Sequence, residues 1–208
     1  MTRLGMVVDK RRCAGCGRCV MACIVEHNLP DGVRWNRIVN EGGELFRTPG
    51  EDENGKLWMR FYTLACQHCQ DPACVKACPT GATFKRESDG IVLVDYGVCI
   101  GCGSCIMSCP YKGVRTMVDG EPVHPLDFAT GDNSLQPHQA NTVSKCTFCV
   151  ERTDRGEIPR CVEVCYAHAR VFGDLDDPES EISKFLAEHE TTQMRLEMGT
   201  GPSVYFAE

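Results

Sequence analysis

The chain has 208 residues, enough for one or two domains, and 42% of them are hydrophobic against 25% charged, a globular balance. A net charge of −7 argues against a nucleic-acid partner, whose phosphates want a basic face, and no apolar run reaches the length of a membrane helix. Sixteen cysteines are the departure from ordinary usage; in a short secreted chain they would mean a disulfide framework.

Taken in chain order, "LGMVVD" (4–9) reads as a short strand. Its apolar run ends at Asp9, too soon for the hydrophobic region of a signal peptide, and Arg11-Arg12 runs into Cys13 instead of such a region, so no signal peptide is expected. The first cysteine group follows: Cys13, Cys16, Cys19 and Cys23, spaced C-x2-C-x2-C-x3-C. Residues 30–58 are rich in Gly, Pro, Asn and Asp and read as a long loop. The second group, Cys66, Cys69, Cys74 and Cys78, has one gap widened to four residues. "TFKRESDGIVLVD" (83–95) reads as a hairpin with a tight turn at Asp89-Gly90.

The third group, Cys99, Cys102, Cys105 and Cys109, repeats the spacing of the first and is followed by Pro110. "YKGVRTMVD" (111–119) gives another strand, and residues 120–143 a second long loop. Loops of that length in a small domain are functional or lie against another chain. In the fourth group, Cys146, Cys149, Cys161 and Cys165, the middle gap grows to eleven residues. Beyond it, Asp177 is positioned to cap a helix with Pro178 at its first turn, and Ile182, Phe185 and Leu186 form an apolar face packed on the body.

The four groups are an internal repeat and are read together. Three cysteines spaced by two residues curl around one face of an iron–sulfur cube. Small residues such as Gly15, Gly17, Gly101, Gly103 and Ser104 let the chain bend that tightly. The fourth cysteine sits one turn into the following helix and reaches a neighbouring cluster, the logic of the bacterial two-cluster ferredoxin run. On that rule, groups two and three form one unit. One of its clusters takes Cys66, Cys69, Cys74 and Cys109; the other takes Cys99, Cys102, Cys105 and Cys78.

Groups one and four pair likewise. Cys13, Cys16, Cys19 and Cys165 hold one cluster, and Cys146, Cys149, Cys161 and Cys23 hold the other. The expectation is four [4Fe–4S] clusters with iron on all sixteen cysteines. The fold expected is α+β: two ferredoxin-like modules with short hairpins and helices and long loops. The inner module (59–119) is inserted into a split outer one (1–58 with 120–173), and a C-terminal helix and extended tail (174–208) pack on the body or a partner. No zinc site is expected, because triplets such as "CAGCGRC" crowd a single tetrahedral ion. Disulfides leave the regular spacing without a purpose.

The fourth group, "KCTFCVERTDRGEIPRCVEVC", carries Lys145, Arg152, Gly156, Pro159 and Val162 around its cysteines. Together with "CQHCQDPACVKACPTGA" (66–82), "GVRWNRI" (32–38) and "FGDLDDPES" (172–180), it resembles the iron–sulfur (beta) subunits of the dimethyl sulfoxide reductase family, over nearly the whole chain. Tyr166 departs from the proline more usual there. The resemblance implies a non-catalytic electron wire between a large molybdopterin (Mo or W) catalytic subunit and a membrane quinol-oxidising subunit or soluble donor, with the outer module toward the catalytic subunit. It also implies a membrane-associated complex, or export alongside a signal-bearing partner, with a cytoplasmic home as the alternative.

Two other functions keep the same cysteines: a free-standing polyferredoxin shuttle, and the beta subunit of a non-respiratory hydroxytransferase or dehydroxylase. No acid, base or nucleophile is arranged for catalysis. His68, between Cys66 and Cys69, reads as a local hydrogen-bonder or surface packer, and Trp35 and Trp58 as packing or subunit contacts. His124, His138 and His168 have no metal-like spacing. Lys10, Arg11, Arg12 and Lys145 either raise nearby cluster potentials, face a partner, or form a solvated edge.

Overall fold

A computed structural model describes residues 2–41, 49–132 and 134–208. Strand β1 (Leu4–Asp9) lies at the centre of the main sheet. Helix α1 (Arg18–Glu26) starts behind Gly17, whose φ of 79° only glycine adopts freely. Next come β2 (Asn36–Asn40), β3 (Gly50–Glu51), β4 (Leu57–Trp58) and β5 (Phe61–Ala65). β2 and β5 pair antiparallel, with Ile38 opposite Thr63, and β3 pairs with β4. The stretch expected to be a loop (30–58) therefore contains strands, made by partners that local composition does not reveal; residues 42–48 of it lie outside the described residues.

The middle of the chain is built from short pieces: α2 (Ala73–Lys76), β6 (Thr83–Lys85), β7 (Val92–Val94), α3 (Ser104–Met107), β8 (Arg115–Val118) and β9 (Thr142–Lys145). The expected β6–β7 hairpin forms, with Thr83 opposite Val94 and Lys85 opposite Val92, but its turn is not the two-residue one. Only Gly90 has a positive φ there, whereas a two-residue type I′ turn needs it at both central residues. The Asp89 carboxylate instead accepts from the amide of Ile91 and from Arg86, holding a longer loop. The second long loop joins β8 to β9, which pair with each other.

Two further one-turn helices, α4 (Val150–Thr153) and α5 (Arg160–Glu163), flank the wide gap of the fourth cysteine group. They are followed by β10 (Arg170–Asp174), α6 (Glu181–Glu188), β11 (Thr191–Thr192) and β12 (Val204–Ala207). Helix α6 begins later than its sequence cue. Asp177 accepts from the amide of Glu179 in a turn of its own, and Ser180 caps the helix by accepting from Ser183.

The main sheet runs β10-β1-β12-β11. β1 pairs antiparallel with β10 and parallel with β12, so the tail after α6 is a sheet strand. β1 is covered on both faces, which explains its unbroken apolar run. Val7 packs with Ile182 of α6 and Ala207 on one side, while Met6 and Val8 pack with Ile91, Phe148, Val204 and Phe206 on the other. The β1–β10 pairing and the packing of α1 on α5 bring the first and fourth cysteine groups side by side. The molecule is a small mixed α/β protein in which most helices last one turn and serve to present a cysteine.

Candidate metal centre

Each group begins with a C-x2-C loop that turns at the residue before its second cysteine. That residue is Gly15, His68, Gly101 or Phe148, with φ of 64°, 42°, 66° and 55°. Cys19 and Cys23 then sit one turn apart on the buried side of α1, where residues four apart share a face. None of the sixteen cysteines is in a disulfide.

Cys13, Cys16, Cys19 and Cys165 line one cavity. Cys23, Cys146, Cys149 and Cys161 line a second, which Cys66 also reaches. Cys69 and Cys109 share an apolar cluster with Leu64, Tyr111 and Val114, and the Cys109 thiol lies within electrostatic reach of Cys66 and Cys74. Cys102 lies near Cys78, while Cys99 and Cys105 pack with Cys74 around Val92 and Val143. A single zinc ion would draw four sulfurs into contact at about 2.3 Å from the metal and leave no cavity between them. At each cavity three thiols of one group meet one thiol of another, a donor set that suits a four-iron core with one thiolate per iron.

The most deeply enclosed thiols resist ionisation in the protein alone. Burial pushes Cys23 and Cys149 well above their ordinary range, Cys146 up to about 12, and Cys69 and Cys109 up to about 11. Metal-free, those sets stay protonated; the charge of a bound metal core ionises them. Backbone amides already aim at sulfur: Thr83 at Cys78 (3.3 Å), Phe148 at Cys146 (3.4 Å) and Ala169 at Cys165 (3.3 Å). Among the described residues, buried Arg115 leaves its Nε and one Nη without a partner, donors that the sulfides of a bound cluster would satisfy.

Three buried cations stand among these thiols. Arg170 donates to Cys161 at 3.3 Å and to Cys19 at 3.8 Å, and also to Asn36 and Thr63. Arg115 donates to Cys74 at 2.8 Å. Lys145 donates to the carbonyls of Val92 and Cys146. Only 2% exposed, it is neither a solvated edge nor a partner-facing charge. Lys10, by contrast, is half-buried and pairs with Glu41 and Glu208, while Arg11, paired with Asp9, and Arg12 are exposed.

His68 hydrogen-bonds locally, accepting from the amide of Val92 at 3.1 Å, but it is buried and not at the surface. Burial, with Lys145 and Arg115 nearby, holds its pKa well below the usual histidine range, so it stays neutral. Trp35 is core, with its indole N–H on Ser144, and Trp58 lies at the small β3–β4 hairpin. Sequence reasoning missed His27. Its Nε2 lies 3.2 Å from Cys149 Sγ, and its Nδ1 approaches Glu151 at 3.0 Å without the alignment of a hydrogen bond. Its placement one turn beyond Cys23 was the available cue. Arg115 and Arg170 were missed too; each opens the strand that follows a group's last cysteine.

The loops, thiol sets and cavities define an iron–sulfur protein of the two-cluster ferredoxin type. Residues 57–124 with 132–175, and separately residues 12–83, match the family described as 4Fe-4S dicluster domain. Among known proteins, the chain is 44% identical to a Halobacterium salinarum chain named for the iron–sulfur subunit of a dimethyl sulfoxide reductase, over 99% of this chain and 79% of that one. It is 37% identical to the arsenate respiratory reductase iron–sulfur subunit of Shewanella sp. strain ANA-3 (98% and 95% covered). It is 36% identical to a tetrathionate reductase subunit of Salmonella typhimurium (98% and 72%). The chain belongs to this family of iron–sulfur (beta) subunits of molybdopterin-enzyme reductases, and its relatives are electron-transfer subunits of oxidoreductase complexes.

Proposed function

We propose that the chain carries four [4Fe–4S] clusters in a row and relays single electrons between a large molybdenum or tungsten bis-pterin subunit and a quinol-linked membrane subunit or soluble donor. The observation that carries this reading is the mixing of cysteine groups around the cavities. Three thiols of group one meet Cys165 of group four, and three of group four meet Cys23 of group one. The same cross-ligation assigns Cys66, Cys69, Cys74 and Cys109 to a third cluster, and Cys99, Cys102, Cys105 and Cys78 to a fourth. The nearness of Cys109 to Cys66 and Cys74, and of Cys102 to Cys78, supports it. The domain reading follows: residues 59–119 form an inner unit inserted into an outer one made of 1–58 and 120–173, supported by the β1–β10 pairing and the α1–α5 packing.

Adjacent sites share residues, which supports one linear order. Arg170 touches Cys19 of the first site and Cys161 of the second, Cys66 of the third reaches the cavity of the second, and Cys74 of the third packs with Cys105 of the fourth. When bound, each cluster accepts and gives up one electron at a time, at a potential set by charge, hydrogen bonds to sulfur and exposure. The chain's own residues hold the thiolates, donate amide N–H groups to sulfur and exclude water with Phe148, Val92 and Ile91. Cys16 and Cys102, at the two ends of the order, are exposed. Met21 and Tyr166 at one end, and Ile100 and Met107 at the other, are exposed apolar residues suited to redox partners, the outer end taking the catalytic subunit. Among the described residues, no helix is long and apolar enough to cross a membrane.

Anaerobic purification with native partners tests this. The expected result is a brown complex with a large pterin-containing subunit and about sixteen irons per chain, four cubes of four. A colourless, zinc-rich preparation overturns it, and recovery without any large pterin subunit favours the free shuttle.

A further inference from the structure

The three buried cations share a pattern that the fold alone does not require. Several other arginines are paired with carboxylates: Arg86 with Asp89 and Asp154, Arg152 with Glu26 and Glu163, Arg155 with Asp132. Among the described residues, Arg115, Lys145 and Arg170 have no carboxylate within ion-pair range, although they are only 4%, 2% and 7% exposed. Isolated buried charges are costly, and such groups persist only where something of opposite charge compensates them.

Two of the three raise the cost further. Arg115 and Lys145 stand directly opposite each other across the β8–β9 ladder, the arrangement in which like charges destabilise a strand pair. What surrounds them is sulfur. Arg170 lines both outer cavities and contacts a cysteine of each. Arg115 donates to Cys74 and lies in the field of Cys66, Cys105 and Cys109, thiols assigned to the third and fourth sites. Lys145 donates to the carbonyls of Val92 and Cys146 and lies in the field of Cys66, Cys74 and Cys146, thiols of the third and second sites.

We propose that Arg170, Lys145 and Arg115 occupy the first, second and third junctions of the wire, one fixed cation between each pair of successive clusters, and that each sets the potentials of the two clusters it separates. The inference rests on the four-cluster reading above. Four thiolates leave each bound cluster anionic, and reduction adds one more negative charge. In a dry interior that charge repels the next cluster with little screening. A cation shared by two neighbours stabilises the electron on either of them. It therefore raises both potentials together and keeps the step between them small. The three are positioning residues, since they act on the clusters through the field and not by exchanging electrons.

The test is an electron paramagnetic resonance redox titration of the anaerobically purified complex, with iron content measured on each sample. Arg170→Gln is expected to lower the potentials of the Cys13 and Cys146 clusters and leave the other two. Lys145→Gln lowers those of the Cys146 and Cys66 clusters, and Arg115→Gln those of the Cys66 and Cys99 clusters. Arg170→Lys, Lys145→Arg and Arg115→Lys keep the charge and should keep both potentials near native. With full iron present, a neutral variant that shifts one cluster alone, none, or all four equally overturns the inference. Where a neutral variant loses iron, the charge-keeping variant decides: restored iron with native potentials supports it, and loss in both shows that shape and not charge is required. Fewer than four cluster signals in the unsubstituted complex would overturn the underlying reading instead.

Discussion

At the residue before the second cysteine, the four loops share a left-handed backbone but not a side chain. Groups one and three place Gly15 and Gly101 there, and their second cysteines, Cys16 and Cys102, remain exposed. At Gly15 a Cβ would run into the Phe61 ring, and at Gly101 into the carbonyl oxygen of Asn141, so neither loop has room for anything larger. Groups two and four place His68 and Phe148 at the same position, and both side chains are buried. Their rings stack with centroids 3.8 Å apart. A positive φ costs a non-glycine residue roughly 1–2 kcal/mol, while burying an aromatic ring returns about 1.5–3 kcal/mol. On the proposed four-cluster order, the same turn is thus made by the absence of a side chain at the two ends, and by strain offset with packing at the middle.

Iron removal gives the largest effect by which to challenge that contrast. A chelator added to the reduced complex should take iron from the exposed end sites before the buried middle ones, so visible absorbance falls in two phases; a single phase would erase the distinction. Cys109→Ser should come next. By the proposed cross-ligation it disturbs the cluster of Cys66, Cys69 and Cys74 first, read as an altered or missing resonance, and an effect confined to the Cys99, Cys102 and Cys105 cluster would refute that assignment.

Phe148→Ala removes the ring that offsets the middle's strain and should cost about 3–5 kcal/mol, seen as a lower Tm in the iron-loaded state. Gly101→Ala probes the other side. It should cost roughly 1–2 kcal/mol from φ alone and displace Asn141, with iron loss at the Cys102 end and the middle sites intact. The smallest change expected is from Asp154→Asn. It loosens the grip of Arg86, in the β6–β7 loop, on α4, and being largely exposed it should alter stability by no more than about 1 kcal/mol.

The chemistry of the sites was legible because ligand spacing is local: C-x2-C loops and a cysteine one turn into a helix say the same thing in any surroundings. β1 was legible for a similar reason, since a β-prone run stopped by Asp9 needs no context. The start of α6 was not, because Asp177-Pro178 and Ser180 compete as caps and the competition is settled by Asp177 satisfying its own turn. β2 and β5 escaped notice because their partners lie across a long connection. Lys145 left three readings open in the sequence and Arg170 none at all, since a cation in a short strand next to a cysteine looks the same on a surface as in a core. Their burial is decided by residues far away: Met6, Cys19, Asn36 and Thr63 for Arg170, and Val92 for Lys145.

The placement of β1 between β10 and β12 also bears on how the protein is made. β1 leaves the ribosome near the beginning of synthesis, yet both its neighbours are translated after the last cysteine, and Met6 cannot meet Val204 until almost everything between them exists. The sheet that closes over Ile91 and Phe148 is thus a late, long-range event, slow by the rule that distant pairings pay their loop entropy first. Cys13, Cys16 and Cys19 likewise cannot meet Cys165 before that residue is made, so the first site stays open to iron and sulfide while the whole stretch between them is translated.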